Sequence, residues 1–209
     1  MDISITSICA RSGGEEIEIT FELCSDGGEH SNRQSFIISS KQYLVLGVAK
    51  GVSSEEQYDS VAHQADVWSC VKKGMFLLGY GTCSEKALRM KLVSKGFDKY
   101  IAGEAVEHIV SMGLLCANDD AAREAEKMAK KLWGKRRITA GLYEKGYSAE
   151  AVSYAISALD DLGINFPRNC HELIEKKYGF PIEREMQNKV FACMMRYGYS
   201  AADIREAMK

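Results

Sequence analysis

Only two prolines occur in 209 residues, so little in the chain forbids helix, since proline removes a backbone donor and breaks helix interiors. Seven cysteines (Cys9, Cys24, Cys70, Cys83, Cys116, Cys170 and Cys193) form no Cys-x-x-Cys pair. An odd, scattered set argues against both a disulfide framework and a zinc site and reads as reduced, mostly packed thiols. His30, His63, His108 and His171 are equally dispersed. Cys170 and His171 are neighbours, but adjacent residues on a helix point apart and do not make a nucleophile and base pair. No window approaches a membrane span, and no basic segment followed by an apolar stretch opens the chain, so a soluble, cytoplasmic protein is expected. Phosphate loops, dinucleotide fingerprints, His-Glu-x-x-His and Gly-x-Ser-x-Gly are all missing. Asp119-Asp120 and Asp160-Asp161 are adjacent carboxylates that diverge on a helix and do not together embrace one metal. The expectation is a non-enzyme with no catalytic residues, no cofactor and no metal.

What is present is a repeat. Leu92-Val-Ser-Lys-Gly96-Phe97, Leu142-Tyr-Glu-Lys-Gly146-Tyr147 and the more degraded Met194-Met-Arg-Tyr-Gly198-Tyr199 recur about fifty residues apart, room for roughly three short helices per unit. An offset of 50 superposes Leu88 on Ile138, Val106 on Ile156, Ile109 on Leu159, Met112 on Leu162 and Gly113 on Gly163. An offset of 52 carries Ile138 to Val190, Val152 to Ile204 and Ile156 to Met208. Apolar residues at helical spacing around a glycine mark a helix stop followed by a new helix, because glycine takes the left-handed conformation of such a stop cheaply.

The predicted first helices lie near 65–79, 119–133 and 168–178, the second near 84–95, 135–145 and 182–197, and the third near 99–112, 149–162 and 200–208. Pro167 and Pro181 are read as helix starts. Before the repeats, Ile17, Ile19, Phe21 and Leu23 alternate with polar residues, and Ser25-Asp-Gly-Gly28 looks like a hairpin turn. Ile3, Ile5 and Ile8, with Phe36-Ile37-Ile38, supply partner strands for a sheet of about three strands that needs helical packing. A short helix is expected over Ser40 to Leu46, and Ser53-Ser-Glu-Glu56 reads as a capping box opening another. The fold expected is mostly α: tandem three-helix repeats forming an elongated, curved array, with a small N-terminal β-strand region. The boundaries are 1–64 for the strand and helix region, then 65–115, 116–165 and 166–209 for three repeats, each completing its core against a neighbour.

Composition is 46% apolar and 27% charged with a net charge of −2 and a pI near 6.1. Within it, Lys127, Lys130, Lys131, Lys135, Arg136 and Arg137 form a cation run with no intervening acid. That run is the best candidate surface for an acidic protein groove or a phosphate backbone; a solvated helical face is the competing explanation. Lys95 and Lys145 recur just before the helix-ending glycines, where a favourable interaction with the helix C-terminus already accounts for them. Phe97, Tyr147 and Tyr199 are read as hydrophobic pins of the turns, and Trp133 as core, with stacking on a partner as the alternative.

The Lys-Gly-aromatic phrase, the Lys135-Arg-Arg-Ile138 helix start, the tandem units and the N-terminal strands together resemble the RecX family of regulatory proteins. Arg137, Ile138, Leu142, Lys145 and Gly146 carry the likeness in the second unit, and Leu88, Leu92, Lys95 and Gly96 in the first. The chain departs from the family pattern at Cys116-Ala117, where an acidic pair is usual; Asp119 and Asp120 follow a turn later as helix N-terminal charges. The resemblance implies a bacterial cytoplasmic protein that binds the RecA recombinase filament on single-stranded DNA and damps recombination, repair and the SOS response. Contact with the DNA itself would be weak or indirect, given the net acidity. A monomer without membrane contact is expected. The alternatives are a direct DNA-binding regulator of helix-turn-helix type and a helical-repeat scaffold for another protein.

Overall fold

The computed structural model describes residues 2–24 and 31–209. The chain divides into two compact units, Met1–Tyr80 with Lys91–Ser111, and Gly81–Met90 with Met112–Lys209.

In the first unit the alternating residues form strands β1 (Asp2–Arg11), β2 (Glu16–Cys24) and β3 (Ser31–Ser39), followed by α1 (Ser40–Leu46). The Ser25–Gly28 turn lies outside the described residues. A fourth strand, β4 (Gly51–Ser53), went unread because three residues carry no alternation; the antiparallel sheet runs β3-β2-β1-β4. Ile3, Ile5, Ile19, Phe21, Leu23 and Ile38 are buried on one face. A register shift between Ile5 and Ser7 leaves Ile8 only partly buried.

The sheet obtains the helical cover it needs from α2 (Glu55–Leu78), one continuous 24-residue helix. Its capping box is formed by Ser54 and Gln57, one residue beyond the predicted Ser53 and Glu56. Val61 of α2 joins the sheet core, and Phe21, Phe36 and Tyr58 meet edge to face at 5.1–5.9 Å. The Glu16 carboxylate accepts from Trp68 Nε1 (2.8 Å) and Lys72 Nζ (2.9 Å), fastening α2 to β2. Hydrogen bonding from Lys72, then Trp68, holds Glu16 below the usual carboxylate range. Along its later turns α2 packs on α4 (Lys99–Ser111), with His63 Nε2 and Glu104 Oε2 2.9 Å apart. The intervening α3 (Glu85–Ser94) gives its first residues to the second unit and its last to the first.

The second unit contains α5 (Ala117–Lys130), α6 (Lys135–Glu144), α7 (Ala149–Asp161), α8 (Phe166–Tyr178), α9 (Arg184–Arg196) and α10 (Ala201–Ala207). Its core joins Ile138, Leu142, Val152, Leu159, Ile174, Val190, Met194 and Ile204, so the superposed apolar positions are core positions here. Met112 and Leu162 are exceptions: they lie just past the ends of α4 and α7 and are exposed. Pro167 sits in the first turn of α8 as expected, but Pro181 lies before the N-cap of α9, after a cis Phe180-Pro181 bond.

The repeated phrase has one geometry in all three places. Gly96, Gly146 and Gly198 have φ of +96°, +85° and +89°. The following Phe97, Tyr147 and Tyr199 N–H groups donate to the carbonyls of Leu92, Leu142 and Met194 at 3.2–3.4 Å, a six-to-one closure of the helix end. Tyr147 and Tyr199 are buried as predicted. Phe97 is only partly buried, so it is not a core residue.

Candidate functional site: the cationic surface of α5 and α6

In the second unit, α6 begins at Gly134, whose N–H donates to Tyr197 O (2.8 Å), while the Arg136 N–H donates to Gly198 O (3.0 Å). The helix start is thus capped by the carbonyls of the turn after α9 rather than by a side chain. A Cβ on Gly134 would collide with Gly198 C and Tyr199 N and sit 2.5 Å from the Gly198 oxygen. Only glycine permits this approach, and it sets the direction in which Lys135, Arg136 and Arg137 leave the helix. The Tyr199 hydroxyl completes the joint by donating to Leu132 O at 2.8 Å.

The cation run acquires acids through the fold. Lys127 pairs with Glu124 (2.9 Å), Lys130 with Glu126 (2.7 Å), Lys145 with the other oxygen of Glu124 (2.9 Å) and Lys135 with Asp160 (3.4 Å). Burial raises the Glu124 carboxyl, but the hydrogen bonds from Lys127 and Lys145 outweigh it and leave the group below its usual range. The pairs at Glu124/Lys127 and Glu126/Lys130 have helical spacing and were legible in sequence; the Lys145 and Asp160 contacts were not. Arg137 is half-buried, its guanidinium 4.1 Å from the Trp133 ring and 5.1 Å from the Tyr197 ring, with Lys177 at 4.9 Å from Tyr197. Trp133 therefore packs against the core while stacking on Arg137, and Tyr197 and Lys177 are members the sequence did not single out.

Local electrostatics separates these cations. Lys127 and Lys130 occupy the last turn of α5, and Lys145 caps α6, where positive charge is favourable. Lys95, in the other unit, is exposed just beyond α3 and has the same explanation. Lys135, Arg136 and Arg137 occupy the first turn of α6, where the macrodipole opposes positive charge by about 0.3–1 kcal/mol each. Asp160 compensates Lys135 and the two rings compensate Arg137. Arg136 is exposed and has no ion-pair partner among the described residues, and neither does Lys131 at the end of α5. Lys131 is the C-cap of α5 and shares the helix-end explanation of Lys145, so Arg136 is the cation of the run that local structure leaves uncompensated. Asp120, by contrast, is buried and accepts the Cys116 N–H at 3.1 Å, the helix-start role expected of it.

Among the described residues no three His, Cys, Asp or Glu side chains gather as a metal site, and no helix is long and apolar enough to cross a membrane. A scan against protein-family models finds no match. The chain is 29% identical over 123 residues to the regulatory protein RecX of Clostridium perfringens, a match spanning 56% of each. It is 22% identical over 210 residues to the regulatory protein RecX of Caldanaerobacter subterraneus, spanning 98% of each. A crystal structure of regulatory protein RecX superposes with a TM-score of 0.74 at 18% identity, covering 98% of this chain and 99% of that one. RecX from Lactobacillus salivarius superposes with a TM-score of 0.58 at 19% identity, covering 68% of this chain and 94% of that one. The chain is thus similar in sequence to proteins named RecX, and it shares the fold of the RecX crystal structures.

Proposed function

We propose that this chain binds a RecA recombinase filament assembled on single-stranded DNA and regulates it, mainly by inhibiting its recombinase, ATPase and SOS coprotease activities. The observation that carries the reading is the correspondence with a RecX crystal structure over 98% of the chain, joined to the family likeness of the repeated phrase. No reaction is needed. A protein that binds one filament state more tightly than another shifts the population toward it. Arg136 and Lys131 are the contacts assigned first, because they are exposed and hold no ion pair among the described residues. Lys130 and Lys135 hold exposed pairs worth about 0–1 kcal/mol each, weak enough to exchange for an acidic partner, while Lys127 and Lys145 share the largely buried Glu124 and present their remaining donors outward. Arg137 supports the surface through Trp133 and Tyr197, and Lys95 is an additional contact on the other unit. The net charge of −2 favours a local charged contact with a protein filament over tight binding to bare DNA.

The test is single-stranded-DNA-dependent ATP hydrolysis by a bacterial RecA filament with this protein titrated in. Loss of hydrolysis at substoichiometric ratios is expected. Unchanged hydrolysis with a cognate recombinase, alongside capture of duplex DNA in a gel shift, would replace this reading with the DNA-binding alternative.

A further inference from the structure

The second and third copies of the repeated phrase are each covered by the start of the preceding repeat's second helix. At the α6 start, the Gly134 N–H donates to Tyr197 O and the Arg136 N–H to Gly198 O. Fifty residues earlier, Ser84 occupies the place of Gly134 just before α3, its hydroxyl donating to Lys145 O and accepting the Ala87 N–H at 3.1 Å. Both joints are close. A Cβ on Gly198 would sit 2.3 Å from Arg137 N, and one on Gly146 would sit 3.0–3.2 Å from Lys86 and Ser84. Beneath these covers Tyr199 and Tyr147 are buried, although the hydroxyl that reaches Leu132 O from Tyr199 has no partner at Tyr147.

The first copy, Lys95-Gly96-Phe97, has the same backbone closure but stands uncovered. Lys95 and Gly96 are exposed and Phe97 is only partly buried, and a Cβ on Gly96 would meet nothing within 4 Å. The carbonyls of Lys95 and Gly96 accept no hydrogen bond among the described residues. Val93 and Tyr100, in the helix turns on either side, are 41% and 80% exposed. Lys95 and Lys99 are exposed and in no ion pair among the described residues, while the intervening Asp98 is engaged as a helix cap, its carboxylate accepting the Tyr100 N–H at 2.7 Å.

We propose that the Lys95-Gly96-Phe97 turn docks the N-terminus of a helix from a partner protein, one that opens with serine or glycine and carries an acid in its first turn. The two covered copies define this occupant, because each shows a helix start with a small residue lying on the same turn. The copy closest in sequence is Lys145-Gly146-Tyr147, and there the covering start is Ser84-Glu85. The unpaired first N–H groups of an arriving helix satisfy the Lys95 and Gly96 carbonyls, and its acid, favoured near a helix N-terminus, complements Lys95 and Lys99. A second copy of this chain offers no such start: Ser84 and Gly134 are already in use, and the corresponding residue of the third repeat, Met186, lies inside α9. The inference does not depend on the recombinase reading.

A peptide of residues 81–95 with Cys83→Ala, which carries the Ser84 start, is titrated into the full-length ¹⁵N-labelled protein while the amides of Gly96, Phe97 and Tyr100 are followed. Saturable shifts there are expected, with binding weakened at least tenfold by Ser84→Leu in the peptide and severalfold by Glu85→Lys. Because the substitutions are in the peptide, the fold of the protein is unaltered. Absence of saturable shifts at these amides, equal affinity of the Ser84→Leu peptide, or shifts confined to Gly146 and Tyr147, where the peptide would replace α3, overturns the proposal. Self-association of the chain alone that Phe97→Asp abolishes would give the turn to a second copy and overturn it equally.

Discussion

Gly134→Ala isolates the close approach at the α6 joint. Gly134 has φ −75°, an ordinary value for alanine, so the substitution brings no backbone strain of its own. Its Cβ would meet the backbone of Gly198 and Tyr199, which cannot rotate away as a side chain can. Overpacking of this kind costs about 1–3 kcal/mol. Separating the strands of chain also weakens Gly134 N–H to Tyr197 O and Arg136 N–H to Gly198 O, each worth about 0.5–1.5 kcal/mol. The expected loss is about 3–5 kcal/mol, a large part of the roughly 5–15 kcal/mol of a typical domain. Urea unfolding followed by Trp133 emission in a Trp68→Phe background reports the second unit alone. At an m-value of about 1.5–2 kcal/mol/M the midpoint falls by about 2–3 M. Gly163→Ala is the control: φ is +69° with nothing within 4 Å, so only the left-handed conformation is penalised, about 1–2 kcal/mol. A Gly134→Ala protein no less stable than Gly163→Ala would refute the steric argument.

Tyr199→Phe removes the bond to Leu132 O and should cost about 1–2 kcal/mol. Tyr147→Phe removes a hydroxyl without a partner and should be neutral or stabilising; urea midpoints in which Tyr147→Phe is the worse of the two would contradict the comparison. Glu16 is held below its ordinary pKa of 4.5 in the folded state, so its contribution is complete above that value and disappears as pH falls through the lowered one. Glu16→Gln should therefore flatten the acid limb of the first unit's stability, read from Trp68 emission, and an unchanged slope would remove Glu16 as its source. Lys131→Ala/Arg136→Ala should weaken inhibition of RecA ATPase severalfold with an unchanged melting temperature. Arg137→Ala should lose about 1–2 kcal/mol through the stack on Trp133 and Tyr197 against about 0.3–1 kcal/mol of relief from the macrodipole, whereas Arg136→Ala gains the relief alone; equal stability of these two variants would show that the stack contributes nothing.

Periodicity determined the helices and the main strands by itself, because side-chain spacing of 3.6 or 2 residues is a local consequence of backbone geometry. It located α5 to α10 to within a few residues and marked Gly96, Gly146 and Gly198 as helix stops, since the low cost of positive φ is a property of glycine itself. It passed over β4, which is too short for alternation and exists because β1 offers Ile3–Ile5 as a partner. It read six cations as one surface because charge along a chain does not reveal which acids the fold brings near. Glu124 reaches Lys145 across two helices, and Asp160 reaches Lys135 from α7. Tertiary structure alone distinguished Arg136 from Lys135 and Lys145, whose acids come from other helices. It also distinguished the closed joint at Tyr199 from the open one at Tyr147, because the same repeated residues carry different polar partners once their units are packed.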